Sequence, residues 1–152
     1  MQKLAYRILL VEDDADDRYI MHQAFSELRF NNEVKMFSSG QELLEYLEHL
    51  PAQSFPELFV LDYNMPAING AELALFLRQQ ACYSDIPVVL YSTGMSPKLQ
   101  RELLQAGVQR CYEKGMEYSE VLDLARTLVD LISKTNHTKA THGIRFESLS
   151  ES

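Results

Sequence analysis

The chain has 152 residues, 46% of them hydrophobic and 24% charged, with a net charge of −8. This suits one globular domain with an ordinary core and argues against direct nucleic-acid binding. Two cysteines, Cys82 and Cys111, show neither metal-site nor disulfide spacing, no apolar run approaches the ~20 residues of a membrane span, and charge arrives too early for a secretory leader, so a cytoplasmic protein with reduced thiols is expected.

Short apolar runs then alternate with segments of helical period. Residues 6–11, YRILLV, read as a strand, and residues 15–29 as a helix with Ile20, Met21, Ala24, Phe25 and Leu28 on one face. Asp14 is the expected N-cap, and Asp17 falls in the first turn, where negative charge is favourable. A more polar second strand is predicted over 33–37 and a second helix over 40–50. LFVLD, 58–62, is a third strand, followed by a helix over 70–80 that opens on Gly70. VVLYS, 88–92, is a fourth strand, and a helix over 97–106 has Pro97 in its first turn and Gly107 past its end. A short fifth strand, 110–113, leads to a last helix over 118–134, with Val121, Leu122, Ala125, Leu128 and Ile132 in register. Residues 135–152 are polar and aperiodic and are expected to form a tail beyond a domain of residues 1–134.

Five strand–helix units imply an α/β fold, a parallel sheet covered on both faces, with right-handed crossovers. The unbroken apolar runs at 8–11, 58–61 and 88–91 fit strands buried on both sides. In such sheets sites form at the carboxyl ends of strands. Strand one delivers Glu12 and Asp13 there, strand three Asp62, strand four Ser92 and Thr93, and strand five Glu113 and Lys114.

Singly, each of these has an ordinary explanation: a strand-end aspartate caps a helix, a Ser-Thr pair makes a turn, a lysine sits on the surface. The acidic run Glu12, Asp13, Asp14, Asp16 and Asp17 reads, by itself, as a solvated loop entering a helix. Together the pieces are complementary. Clustered carboxylates raise one another's proton affinity, and a hard cation such as Mg²⁺ reverses that effect. Lys114 supplies a point charge and Ser92 a hydroxyl donor. Such a set is equipped to accept a phosphoryl group, because positioning and charge neutralisation supply most of the catalysis.

The stretches ILLVEDD, PELFVLDYNMPAING, IPVVLYST and EKG carry a family resemblance. Over residues 6–133 the chain resembles the receiver domains of two-component response regulators. The resemblance implies a flavodoxin-like, doubly wound, five-stranded parallel sheet of order 2-1-3-4-5 with five helices. It implies that Asp62 is the phosphoacceptor, taking its phosphoryl group from a sensor histidine kinase or a histidine phosphotransfer protein. Asp13 is then a direct Mg²⁺ ligand, Glu12 its partner, and the Asn64 backbone carbonyl completes the set with Asp62. Ser92, Thr93 and Lys114 become phosphate-binding residues, and Pro66 and Gly70 shape the loop into the third helix. The family's signalling face, helix 4–strand 5–helix 5, would bind a downstream protein or pair two copies. With 18 residues after the last helix, a stand-alone receiver is expected.

Three departures stand out, of which one, Glu57 before the third strand where Asp is common, is expected to be neutral. The family lysine is usually followed by proline, whereas Gly115 follows Lys114 and predicts a looser loop. The family's switch aromatic would fall on Cys111; either Tyr112 takes that role through a local shift or the switch is absent. A pseudo-receiver that binds protein without phosphorylation is the main alternative. A haloacid-dehalogenase-like phosphatase would want a second aspartate as general acid where Asn64 stands. A flavodoxin-like electron carrier would want a phosphate-cradling loop where the acidic run lies. His22, His49, His137 and His142 show no ligand spacing, and Met65, Met95 and Met116 read as packing or partner contacts.

Overall fold

The structure, a computed structural model, describes the backbone over residues 5–145 and side chains over residues 5–132. Five strands, β1 (Ile8–Val11), β2 (Val34–Phe37), β3 (Leu58–Asp62), β4 (Val88–Ser92) and β5 (Arg110–Glu113), pair in parallel in the order β2-β1-β3-β4-β5. Five helices connect and cover them: α1 (Ala15–Glu27), α2 (Gly40–Glu48), α3 (Gly70–Gln79), α4 (Pro97–Gln105) and α5 (Tyr118–Arg145). β1, β3 and β4 are buried along their whole length, as their unbroken apolar sequences require, while the flanking β2 and β5 are partly exposed.

The sheet separates two cores. On one face Ile8, Leu10, Val60, Val89 and Tyr91 pack against Met21, Ala24 and Phe25 of α1 and Leu124, Ala125 and Leu128 of α5. On the other Leu9, Val11, Phe59, Leu61 and Leu90 pack against Leu43 and Leu47 of α2, Leu73 and Leu77 of α3, and Leu103 of α4. Period-2 alternation along the strands thus assigns neighbouring side chains to opposite layers.

Local chemistry sets the helix starts. Asp14, Ser39, Asn69 and Ser96 each accept a backbone N–H of the first turn, and Asn69 forms a reciprocal capping box with Glu72. The ends are less legible. α1 stops at Glu27, two residues before the expected end, because Arg29 adopts a left-handed φ of 59° and the Phe30 N–H donates to the Phe25 carbonyl at 2.8 Å. This is a helix stop that favours glycine or asparagine, so an arginine there gives no signal. β1 and β2 are trimmed at their starts, and Glu33 lies in a 3₁₀ turn, Asn31–Glu33. α5 continues to Arg145 rather than ending near 134, since no glycine or proline interrupts residues 118–142. The expected tail therefore begins inside a helix, and residues 146–152 lie outside the described residues.

Candidate active site at the carboxyl edge of the sheet

β1 is flanked by β2 and β3, so strand order reverses between β1 and β3, where an α/β sheet opens a crevice. Glu12 follows β1 and Asp62 ends β3 on either side of that crevice. Both are buried, at 0% and 1% exposure. A buried carboxylate needs donors, and the neighbouring strand ends supply them. One Glu12 oxygen, Oε1, accepts the Tyr91 hydroxyl at 2.6 Å and lies 3.0 Å from Lys114 Nζ. The other, Oε2, accepts the Asp14 N–H at 3.0 Å. Asp62 Oδ1 accepts the Asn64 N–H at 3.0 Å, and Oδ2 lies 3.5 Å from Lys114 Nζ.

Glu12 is better satisfied than Asp62, and the electrostatics follow. Burial, and then the hydrogen-bonded and charged Glu12 alongside, push the Asp62 carboxyl up to about 7, against the opposing pull of Lys114. Burial alone would lower the Lys114 ammonium, but Glu12, Asp62 and Asp17 outweigh it and hold the lysine charged. The Tyr91 hydroxyl is pushed well above its ordinary value by burial and by Glu12, so it remains a neutral donor.

Asp13 is exposed at the mouth of the crevice. One oxygen each from Glu12, Asp13 and Asp62 lie within 4.8 Å of one another, the one such acidic group among the described residues. Glu12 and Asp62 share one ammonium, and Asp13 adds a third negative charge beside them, so the group carries excess negative charge. An oxygen-ligated divalent cation relieves that condition, so the donor set fits Mg²⁺.

The family model of the response regulator receiver domain matches residues 8–126. The chain belongs to that family. It is 27% identical over 126 residues to the probable methanogenesis regulatory protein FilR2 of Methanothrix harundinacea, covering 82% of this chain and 79% of the relative. It is 26% identical over 125 residues to Stress response regulator protein 1 of Candida tropicalis, covering 82% of this chain but 45% of that longer protein. The crystal structure of the phosphorylated cyanobacterial phytochrome response regulator RcpA superposes with a TM-score of 0.74 at 24% identity, covering 86% of this chain and 96% of that one, and shares the fold.

The receiver brings Glu12, Asp13, Asp62 and Lys114 together as expected, but turns Ser92 elsewhere. Its hydroxyl lies 2.7 Å from Asn64 Oδ1 and 3.1 Å from the Gly94 carbonyl, and accepts the Gly94 N–H at 3.2 Å. With one proton it can donate to only one of the two carbonyls at a time. Asn64 thus engages through its carboxamide as well as its backbone. Thr93 is exposed and shares with Lys114 a cavity of about 280 Å³ between α1 and the start of α5.

The receiver's β5 carries no local shift. Leu90 pairs with Cys111 and Tyr91 with Tyr112, so Cys111 faces the α4 layer while Tyr112 packs beside Tyr91 on the α1–α5 layer. Tyr112 does not occupy the Cys111 position. The loop after Lys114 has hydrogen bonds of its own. Glu120 Oε1 accepts the Met116 N–H at 2.9 Å and the Glu117 N–H at 3.0 Å, bonds that lower its pKa. A Cβ on Gly115 would collide with the Glu120 side chain, so glycine and glutamate together close this loop without proline. Gly70 is required for the same kind of reason: a Cβ there would stand 2.5 Å from the Asp62 carbonyl and 2.8 Å from Leu90 Cδ2.

Two residues of the receiver site escape sequence reasoning. Tyr91 reads as one more hydrophobic strand residue; its signal is a hydroxyl-tipped aromatic in an otherwise aliphatic run. Asp17 reads as a helix first-turn acid, yet its Oδ2 lies 3.1 Å from Lys114 Nζ. Met65 is core packing, Met95 packs partly buried against the same core, and Met116 is 93% exposed. His22 and His49 are exposed; the side chains of His137 and His142 lie outside the described residues. Among the described residues no helix is long and apolar enough to cross a membrane.

Proposed function

We propose that this receiver domain accepts a phosphoryl group on Asp62 and alters its protein contacts in response. The reading rests on one observation above all: a buried strand-end carboxylate 3.5 Å from a lysine ammonium, with Glu12 and Asp13 grouped around it. Asp13, Asp62 and the Asn64 carbonyl would hold Mg²⁺, with Glu12 behind them; the bound ion neutralises charge on the transferring phosphoryl oxygens and keeps Asp62 ionised.

The donor is a phosphohistidine of a cytoplasmic sensor kinase or phosphotransfer protein. An Asp62 carboxylate oxygen attacks phosphorus, the P–N bond breaks, and its electron pair stays on the imidazole nitrogen, which takes up a proton. Lys114 meets one phosphoryl oxygen. The Ser92 hydroxyl reaches another by rotating away from Asn64 and Gly94, and Thr93 lies at the same mouth. A phosphatase reading fails at Asn64, whose carboxamide has no acidic proton to give a leaving group. The output is binding of a downstream protein at the face of α4, β5 and α5, which also offers a surface for pairing two copies. Cys111 there makes an aromatic rotation an unsuitable signal.

Labelled acetyl phosphate with Mg²⁺ tests the reading. The wild-type protein is expected to carry label, and Asp62→Ala none. Equal labelling of the variant overturns the assignment of Asp62. No labelling of either protein instead indicates a pseudo-receiver that binds partners without phosphorylation.

A further inference from the structure

The ammonium of Lys114 has three protons and three carboxylate neighbours. Nζ lies 3.0 Å from Glu12 Oε1, 3.1 Å from Asp17 Oδ2 and 3.5 Å from Asp62 Oδ2. A phosphoryl oxygen on Asp62 can take over the proton that faces Asp62, but it then shares the ammonium with Glu12 and Asp17, so the more weakly held of those two is the one open to displacement. Glu12 is unsuited to yield. It is 0% exposed, and the oxygen facing Lys114 is also held by the Tyr91 hydroxyl. Losing the lysine would leave a buried carboxylate short of a donor, which is costly. Asp62 carries the phosphoryl group itself. Asp17 differs from both. Its side chain is 38% exposed at the rim, so its carboxylate can turn into water. It also sits in the first turn of α1, where the helix dipole stabilises a negative charge that has no other partner.

We propose that Asp17 is the displaceable counter-ion of Lys114, exchanged for a phosphoryl oxygen when Asp62 is phosphorylated. Asp17 is therefore a positioning residue that restrains phosphoryl acceptance. It competes for the ammonium that the incoming group needs, and its charge faces an incoming anion. The bond that breaks ties the end of β5 to α1, so this exchange also changes how the two elements are joined. The inference rests on Asp62 being the phosphoacceptor.

The test compares wild type, Asp17→Asn and Asp17→Glu for labelling by acetyl phosphate at fixed Mg²⁺. In the same proteins, metal-free and unphosphorylated, the ¹⁵N resonance of the Lys114 ammonium is followed. A part-exposed ion pair corresponds to about fivefold at its upper end, so Asp17→Asn should label roughly three- to fivefold faster at low salt. The gap should narrow as salt screens the charge, since the screening length falls to ~10 Å at 0.1 M. Asp17→Glu restores the charge and should label at close to the wild-type rate, whereas a purely structural role would leave no salt dependence. The Lys114 resonance should move in Asp17→Asn and stay in Asp17→Glu. Asp17→Asn labelling no faster than a wild type that does label on Asp62 overturns the proposal. So does an unmoved Lys114 resonance, even if the wild type takes no label and the phosphoacceptor assignment itself has failed.

Discussion

Replacing Asp62 with asparagine is expected to stabilise the metal-free protein above neutral pH. The Asp62 carboxyl is raised from 3.8 to about 7 in the folded state, chiefly by burial and by Glu12. The folded protein therefore holds the Asp62 proton more tightly than the unfolded chain does. Stability falls as pH rises from about 4 through about 7 and is level above that. Three units at about 1.4 kcal/mol each set a ceiling near 4 kcal/mol. Asp62 is 1% exposed, but Lys114 beside it and water at the crevice mouth screen the charge. Half of the ceiling, about 2 kcal/mol, is the expected gain for Asp62→Asn at about pH 8, with little gain at about pH 4. For a domain of this size that is ~4–8 °C in Tm. Urea melts of both proteins at the two pH values, with chelator and then with Mg²⁺, measure it. The cation should reverse the order by stabilising only the protein that keeps the third carboxylate. If the two proteins differ equally at both pH values without metal, the unrelieved charge on Asp62 is not what burial and Glu12 imply.

Gly115→Ala should lower stability by about 1–3 kcal/mol, because its Cβ must push Glu120 off the loop. It should also slow labelling by displacing Lys114. Full stability and rate in that variant would show that the Glu120 bonds do not hold the loop. Gly94 presents the opposite case, since nothing lies within 4 Å of a Cβ built there. Gly94→Arg or Gly94→Glu should leave the Tm unchanged and lengthen the aspartyl-phosphate lifetime by hindering water, and an unchanged lifetime sinks that account.

Much of this protein is written locally. The apolar runs of β1, β3 and β4 are decisive because a strand buried on both faces favours apolar side chains at successive positions. Asp14, Ser39, Asn69 and Ser96 mark helix starts because orphan N–H groups need a side-chain acceptor at the cap. Glu12, Asp13, Asp62, Ser92 and Lys114 were legible because each follows or ends a strand, and parallel strands deliver their carboxyl ends to one edge. The stop of α1 at a left-handed arginine and the run of α5 to Arg145 were not, since neither carries the glycine or proline that usually marks an end.

What only the tertiary structure decided is which partner each charged group takes. Tyr91 and Asp17 lie 79 residues after Glu12 and 97 residues before Lys114 in sequence, and no periodicity links such pairs. The turn of Ser92 toward Asn64, the packing of Glu120 over Gly115, and the facing of Cys111 and Tyr112 into different layers likewise depend on register and on the space left by neighbours. Secondary structure follows from chemistry within a few residues of the chain. The sharing of one ammonium among three carboxylates follows from how the ends of β1, β3 and β5 meet the first turn of α1.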